Sequence, residues 1–403
     1  MRDPPEPEVA SSVDVIRSRR FHGSPELQAP LRLKWRHAPT GRPRRTRRMI
    51  QALRRLTRNA HLWLPGYLVS RWRRRGLGSP SDVWVTIADH FEPYWGRPDP
   101  AVARARVVRW RRQWPEIAQR HRDSADHPPS YTFFYPQEEY SPELVEPLAE
   151  MARQGIADVE VHIHHDGDGE ASFLGRMRGF LDRLHVGHGL LRRHGGRIAF
   201  GFIHGNWALD NSRPDGKWCG LNNEITLLRE LGCYADFTLP AAPDPCQAGP
   251  VNVIYRASDD PARPRSHARG APIVPGSANV GDLTLIPGPL GLLWSAGRRG
   301  RPRLDTGEIA GHFLPSAERV HLWLEVAPRI GSHCFIKLFT HGAQERNAAP
   351  LLEGGLAVLF EALRSECESR QARLHYVSAW AMWQAVEAAR LSGGEARLAG
   401  GSA

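Results

Sequence analysis

The sequence predicts an α/β fold built on a parallel sheet, and two observations lead to this prediction. From Ser81 onward, runs of β-branched and aromatic residues alternate with segments of helical periodicity roughly 10 to 20 residues long. Such alternation is typical of parallel strands joined by right-handed helical crossovers. Polar side chains able to do chemistry follow nearly every predicted strand. Because parallel strands end at a common edge, we expect these side chains to converge there.

The predicted elements follow one another in a regular order. Ser141 and Pro142 illustrate the local signals, because serine favours the N-cap of a helix and proline its first turn. The order is strand SDVWVTIAD, helix 100–121, strand SYTFFYP, helix 142–154, strand ADVEVHIH, a helix ending near 194, strand RIAFGFIHG, helix 221–231 and strand ADFTLP. After an irregular stretch come helix 315–326, strand CFIKLFTH, helix 350–368, strand RLHYVSA and helix AMWQAVEAA.

Composition divides the chain into three parts. Residues 1–80 are a basic leader that we expect to be largely disordered, with an amphipathic helix near 47–64. Residues 81–391 hold the predicted α/β domain, and residues 392–403 form a tail that we also expect to be disordered. Within the domain, residues 241–310 are rich in Pro, Gly and Arg, which predicts a cap insertion that contains a β-hairpin.

The positive charge of the chain is concentrated in the leader. The 403 residues carry a formal net charge of +11, yet residues 1–80 hold 19 Lys and Arg against 5 Asp and Glu, so the remainder has a net charge of −3. The basic amphipathic segment and its neighbouring tryptophans predict peripheral contact with an anionic membrane through residues 47–75. The alternative is a solvated basic helix packed on the domain. No aromatic-rich binding sheet accompanies the charge, so we expect no specific nucleic-acid partner.

Cysteine usage and hydropathy indicate the cellular setting. The five cysteines are widely spaced and include no C-x-x-C pair, which predicts neither a disulfide framework nor a structural zinc site. The N-terminus lacks the apolar core of a secretory signal, and the chain has no uninterrupted apolar run of about 18 residues. We therefore predict a cytoplasmic protein, either soluble or bound peripherally to a membrane.

The densest group of candidate metal ligands is the segment DVEVHIHHDGD, residues 158–168. It delivers His162, His164, His165 and Asp166 at the end of a predicted strand. Alternate side chains of an extended chain share a face, so His162, His164 and Asp166 point one way and His165 the other. Two imidazoles and a carboxylate suit one divalent cation. The alternative is a polar turn whose histidines are caps or face solvent.

Other strand ends add polar and aromatic side chains to the same predicted edge. They are Asp89, His90, Glu92, Gln137, Glu138, Glu139, His204, Asn206, Trp207, Asp210 and His341. Trp95 and Trp218 lie in the loops beside them. Flat aromatic rings next to polar groups suit a sugar ring. We predict that Trp95, His204, Asn206 and Trp207 bind substrate, although some of the polar groups are expected to be helix caps or to serve packing.

The order of these motifs, over about residues 82–387, resembles the polysaccharide deacetylase family of metal-dependent carbohydrate esterases. The resemblance implies a distorted (β/α)7–8 barrel. VTIADH stands where the family has T-F-D-D, which implies that Asp89 binds the metal. HIHHD stands where the family has its two metal-binding histidines, which implicates His162 together with His164, His165 or Asp166. LFTH fits the family's late L-x-x-H motif, whose histidine, His341 in this chain, is a general acid.

Two departures from the family pattern concern the chemistry. Ala88 occupies the position of the family's catalytic base, and H-x-x-x-H is replaced by H-x-H-H-D. A metal site with an altered ligand set is therefore expected, and the base must come from elsewhere. Asp166, Glu92 and Asp210 are the candidates.

The resemblance implies a hydrolase that removes acetyl or other acyl groups from a polysaccharide or amino sugar. It would use a divalent metal, for which we predict Zn²⁺, with His341, Asp166 and Asp210 as candidate catalytic residues. One alternative is a glycosidase of a related (β/α)7 barrel family, with a pair of carboxylates from among Glu92, Glu139 and Asp210. Another is a catalytically silent glycan-binding barrel in polysaccharide biosynthesis, which the alanine at position 88 favours.

Overall fold

The structure, a computed structural model, describes residues 58–298 and 301–392 of the chain. These residues form nine α-helices and fourteen strands, in a mixed α/β arrangement. The helices are α1 Ala60–Arg73, α2 Pro100–Arg120, α3 Pro142–Arg153, α4 Glu170–Asp182, α5 Glu224–Leu231, α6 Ala317–Val326, α7 Glu345–Pro350, α8 Leu356–Ser369 and α9 Ala379–Leu391. The strands are β1 Asp82–His90, β2 Tyr131–Pro136, β3 Ala157–Ile163, β4 Arg192–His194, β5 Arg197–His204, β6 Cys233–Asp236, β7 Tyr255–Ala257, β8 Gly270–Pro272, β9 Leu283–Leu285, β10 Gly291–Arg298, β11 Arg301–Asp305, β12 Arg329–Ile330, β13 His333–Thr340 and β14 Arg373–Tyr376.

Twelve of these strands form one large sheet, and its centre is parallel. Its order is β12-β13-β1-β2-β3-β5-β6-β9-β7-β8, with β14 paired to β1 and β4 paired to β5. Every pairing from β13 through β9 along this order is parallel. The prediction of an α/β fold with a mostly parallel sheet is therefore confirmed. Along the described part of the chain, the hydrogen-bonded order ends at β12 on one side and at β8 on the other.

The register of the parallel strands brings their last residues to one level. Asp89 of β1 lies beside Thr340 of β13. Pro136 of β2 lies beside His162 of β3, and Ile163 lies beside His204 of β5. The side chains that follow these strands therefore share one edge of the sheet, which we call the rim.

The region predicted as a cap contributes strands to the main sheet as well as a separate hairpin. Strand β9 is parallel to β6, and β7 and β8 extend the sheet beyond it. Strands β10 and β11 form a separate two-stranded sheet within the described residues. The sequence did not predict β7, β8 and β9, because three-residue strands are too short to show an alternating pattern.

Helix α2 shows how the sequence builds the layer outside the sheet. Its buried residues recur every three or four positions and are Ala103, Val107, Trp110, Trp114 and Ala118. This spacing places them on one face of a helix, which packs against β2. Each buried indole also donates a hydrogen bond of 2.8 Å, from Trp110 to Gly342 O and from Trp114 to Ile156 O. The helix thereby supports the loop after β13, where His341 lies.

The leader is described only from residue 58. The predicted helix near 47–64 therefore lies mainly outside the described residues, as does the tail from 393. Helix α1 overlaps the C-terminal end of the predicted helix, and its Leu68 and Trp72 side chains are exposed. Contact of residues 47–75 with a membrane surface stays a prediction. Of the helices in the described residues, none is both long and apolar enough to cross a bilayer.

A buried carboxylate stabilises the opposite end of the sheet, at the start of β1. Asp82 accepts hydrogen bonds from Arg373, His375 and Ser81, each 2.8 to 2.9 Å long. Burial raises the pKa of Asp82, but these hydrogen bonds outweigh it and lower the pKa to about 2.

We expect Asp82→Asn to lower the free energy of unfolding by about 2 kcal/mol at neutral pH. Because the folded-state pKa lies below the unfolded value, this stability is present above about pH 4 and is lost as the pH falls towards 2. Urea unfolding at several pH values measures the effect. Asp126→Asn is the control, since the Asp126 side chain is 92% exposed. A loss that did not shrink in acid would contradict the assignment.

Candidate metal centre

The end of β1 determines which of two consecutive residues faces the rim. Successive side chains of a strand point to opposite faces. Asp89 points into the layer beneath α2, whereas His90 points towards the other rim histidines: its ring centroid lies 5.1 Å from that of His162 and 4.8 Å from that of His341. Glu92, two residues beyond the strand, is also buried at this place.

Strand β3 contributes two histidines that face Glu92. The Nε2 atoms of His162 and His164 lie 3.4 and 3.5 Å from Glu92 Oε1. His162 Nδ1 donates to Ile203 O at 3.0 Å, and His164 Nδ1 pairs with Glu138 Oε1 at 2.5 Å. Both contacts leave Nε2 directed at Glu92. A histidine that uses Nδ1 in this way presents a fixed Nε2 lone pair, which is the arrangement found around bound metals.

Five donor residues therefore surround one place at the rim, and we call them the rim cluster. They are His90, Glu92, His162, His164 and His341. One nitrogen or oxygen from each of His90, Glu92 and His341 lies within 4.8 Å of the others, and the same holds for Glu92, His162 and His164. Glu92 belongs to both groups and so marks the centre. The cluster could hold a divalent cation.

Unpartnered atoms support a cation at the rim cluster. His90 Nε2 and His162 Nε2 are buried and have no hydrogen-bond partner among the described residues. Burial lowers the pKa of His90 well below its ordinary value, so the ring is neutral. A buried nitrogen without a partner is costly in a protein. A metal ion would satisfy both nitrogens together with the Glu92 carboxylate.

A second group of donors lies at the ends of β3 and β5, and all four of its residues are buried. They are His165, His204, Cys219 and Glu224, with ligand atoms within 4.8 Å of one another. This group, which we call the inner cluster, also could hold a metal ion. Side chains alternate between two faces along β3 and the residues that follow it. His162 and His164 therefore belong to the rim cluster, whereas His165 belongs to the inner cluster.

Asp89, which the family resemblance implies is a metal ligand, has other partners in the structure. Its Oδ1 accepts from Gly342 N at 2.7 Å, and its Oδ2 accepts from Tyr131 OH at 3.0 Å. Gly342 must be glycine here, because a Cβ would lie 2.2 Å from Asp89 Oδ2 and 2.7 Å from the Trp110 ring. Asp89 is absent from the two donor groups that the described rim residues form. Its place makes it a tether for the loop that carries His341.

Of the three predicted bases, Glu92 is a member of the rim cluster, whereas Asp166 and Asp210 belong to neither donor group of the described residues. Asp166 Oδ1 accepts from Trp218 N at 2.7 Å, on the exposed side of its loop. Asp210 is buried and accepts from Ser266 Oγ at 2.6 Å and from His267 N at 3.2 Å. Neither carboxylate is within metal-ligand distance of the rim cluster.

Among the predicted substrate-binding residues, Trp207 borders the rim cluster. Its ring centroid is 6.4 Å from the rings of both His90 and His341. Trp95 lies in the loop after β1, is 42% exposed and stacks against Arg346. Asn206 adopts a left-handed backbone conformation beside Trp207. His204 is a member of the inner cluster and does not reach the surface.

Several residues of the two clusters were not predicted as ligands from sequence. His90 was named only as a strand-end group, because Asp89 matched the family motif at the neighbouring position. Cys219 and Glu224 follow β5 at a distance, in a loop and at the start of α5, so no spacing rule links them to His165. The strict alternation of side chains along β1 shows that only one of residues 89 and 90 can face His162, but it does not determine which one.

Comparison with known proteins assigns no family to this site. No protein-family model matches the chain. A search of curated proteins likewise finds no matching sequence. The resemblance to polysaccharide deacetylases therefore stays a prediction, and the function is argued from the geometry of the rim.

Proposed function

We propose that the chain is a metal-dependent hydrolase that removes acyl groups from a carbohydrate, with the rim cluster as its active site. The observation that carries the proposal is the convergence of four histidines from three strand ends on the single carboxylate of Glu92. A zinc ion fits this set, because imidazole and carboxylate are among its preferred ligands. The proposal includes the distorted barrel of related esterases as the form of the sheet.

The two most enclosed histidines are the best candidates to hold the metal. His90 and His162 are buried and present unpartnered Nε2 atoms, and Glu92 supplies the carboxylate between them. This assignment puts His90 in the place of Asp89, which the resemblance had implied. A cation bound there supplies Lewis acidity that polarises an acyl carbonyl.

The two more accessible histidines are placed to move protons. The His164 side chain is 32% exposed and its Nδ1 pairs with Glu138. Burial lowers the pKa of His164, but the hydrogen bond and the charge of Glu138 outweigh this and raise it above its ordinary value. A carboxylate at Nδ1 orients the ring and stabilises its charged form, which suits a general base. His164 with Glu138 thus takes the role that Ala88 leaves open.

His341 is the candidate general acid. It follows β13 and shares a donor group with His90 and Glu92, whereas His164 belongs to the other group around Glu92, and its side chain is partly exposed. A proton held there can pass to the leaving amine or alkoxide of the sugar. Trp207, which borders both His90 and His341, offers a flat apolar ring to the sugar face.

Acetate release tests the proposal. We expect the purified full-length chain, loaded with zinc, to release acetate from N-acetylated chitooligosaccharides or O-acetylated polysaccharide, and to stop after treatment with a chelator. Reducing sugar released without acetate would indicate a glycosidase instead. Binding of the glycan with neither product would indicate a silent barrel. Either result would overturn the hydrolase proposal.

A further inference from the structure

The inner cluster includes a thiol, which the rim cluster does not. His165 follows β3, His204 ends β5, Cys219 lies in the loop after it, and Glu224 begins α5. His165 and His204 lie with their Nε2 atoms 3.1 and 3.5 Å from Glu224 Oε1. Cys219 Sγ lies 3.4 Å from Glu224 Oε2. Two nitrogens, one sulfur and one carboxylate thus meet at a single point.

The hydrogen bonding of His204 leaves the lone pair of its Nε2 atom facing an oxygen of the Glu224 carboxylate. His204 Nδ1 contacts Gly205 O at 2.5 Å, and since a carbonyl only accepts, Nδ1 carries the proton. His204 Nε2 is then an acceptor directed at a carboxylate oxygen, and it has no hydrogen-bond partner in the described structure. Two acceptors at 3.5 Å repel unless a cation lies between them.

No Lys or Arg side chain in the described part of the chain contacts the Glu224 carboxylate. Glu224 is fully buried, and it contacts His165, His204, Cys219 and the backbone N–H of Asp210. Burying a carboxylate without a cation is strongly unfavourable. His165 Nδ1 lies 3.2 Å from Asp168 Oδ2, which places a carboxylate behind the ring, as is common for metal-bound histidines.

From this arrangement we infer that the inner cluster is a second, structural zinc site, held by His165, His204, Cys219 and Glu224. Four protein ligands that include a thiolate are typical of closed structural zinc sites, and sulfur disfavours Mg²⁺ and Ca²⁺. The site clamps the loop between β5 and α5, residues 205–223, to the ends of β3 and β5. That loop carries Trp207, so the inner metal positions the wall of the rim site without touching substrate. The inferred site differs from the expectation, drawn from cysteine spacing alone, that the cysteines form no structural zinc site.

Cobalt replaces zinc in such sites and reports sulfur ligation directly. We expect the full-length chain reconstituted with Co²⁺ to show a near-ultraviolet thiolate-to-cobalt charge-transfer band. Since the rim cluster has no cysteine, this band reports the inner site alone, whether or not the chain is a deacetylase. His162→Ala should keep the band, and Cys219→Ser should lose it. Cys233→Ser is the matched control, because Cys233 is also buried but its thiol donates to the carbonyl of Ala235 and belongs to neither donor group of the described residues.

A second measurement leaves all four residues of the inner cluster unsubstituted. X-ray absorption of the zinc-loaded His162→Ala chain should show one sulfur ligand at about 2.3 Å with nitrogen and oxygen ligands at about 2.0 to 2.2 Å. The inference is overturned if the wild-type chain shows no charge-transfer band, if Cys219→Ser keeps it, or if the zinc has only nitrogen and oxygen ligands. The first of these results would mean that the cluster is held together by hydrogen bonds alone, such as the one between His165 Nε2 and Glu224 Oε1.

Discussion

Substitution of His90 or His162 by alanine is expected to abolish metal binding at the rim and acetate release with it. Loss of an outer partner of a metal ligand typically weakens metal binding by about 10- to 100-fold, so loss of a ligand itself should cost more than about 100-fold. Both side chains are buried and have unpartnered Nε2 atoms at the centre of the rim cluster. Zinc titration of each variant, followed by acetate release at saturating zinc, measures the two effects.

Asp89→Asn is the matched control for His90→Ala. It changes the adjacent buried residue, yet an asparagine can accept from Gly342 N and donate to Tyr131 OH in place of the carboxylate. We therefore expect Asp89→Asn to bind zinc at the rim as the wild type does. If Asp89→Asn lost the metal and His90→Ala kept it, the ligand implied by the family resemblance would be right and the assignment from the structure wrong.

Replacement of His341 by alanine is expected to slow the reaction without removing the metal. A general acid contributes roughly 10²- to 10⁴-fold, and its contribution depends on how much the leaving group needs a proton. Hydrolysis of a sugar acetamide should fall by about this factor. Hydrolysis of 4-nitrophenyl acetate should fall by less than about tenfold, because its phenolate leaves without protonation.

Comparing the loss of activity on the two substrates shows whether His341 is a general acid, a metal ligand or a structural residue. An equal loss on both substrates, with less zinc bound, would mean that His341 holds the metal instead of donating a proton. His121→Ala serves as the control, because His121 is also partly exposed but follows α2 near the opposite end of the sheet, where its ring packs on Phe360. It should leave both reactions unchanged.

Local signals in the sequence were sufficient for most of the elements that support the site. Helix α2 begins at Pro100 as predicted, and the hydrophobic runs around β1, β2, β3, β5 and β13 all form strands. The helix predicted to end near residue 194 instead ends at Asp182 and is followed by a short π-helical turn and β4. Glycines 187 and 189 lie at this break, and the second has a positive φ of 65°, which a continuing helix does not allow.

The sequence by itself determined the parallel sheet, the edge at which the candidate site lies and the presence of His162 and His164 at that edge. These features depend on periodicities of two and 3.6 residues and on which strand end a residue follows, and both are local properties. Only the tertiary structure decided that His90 and not Asp89 faces Glu92, because the face of a strand is set by what packs on each side. It alone showed that His165 joins His204, Cys219 and Glu224. Those ligands span sixty residues of sequence, and only the register of β3 against β5 and the return of the loop to α5 bring them within reach of one metal ion.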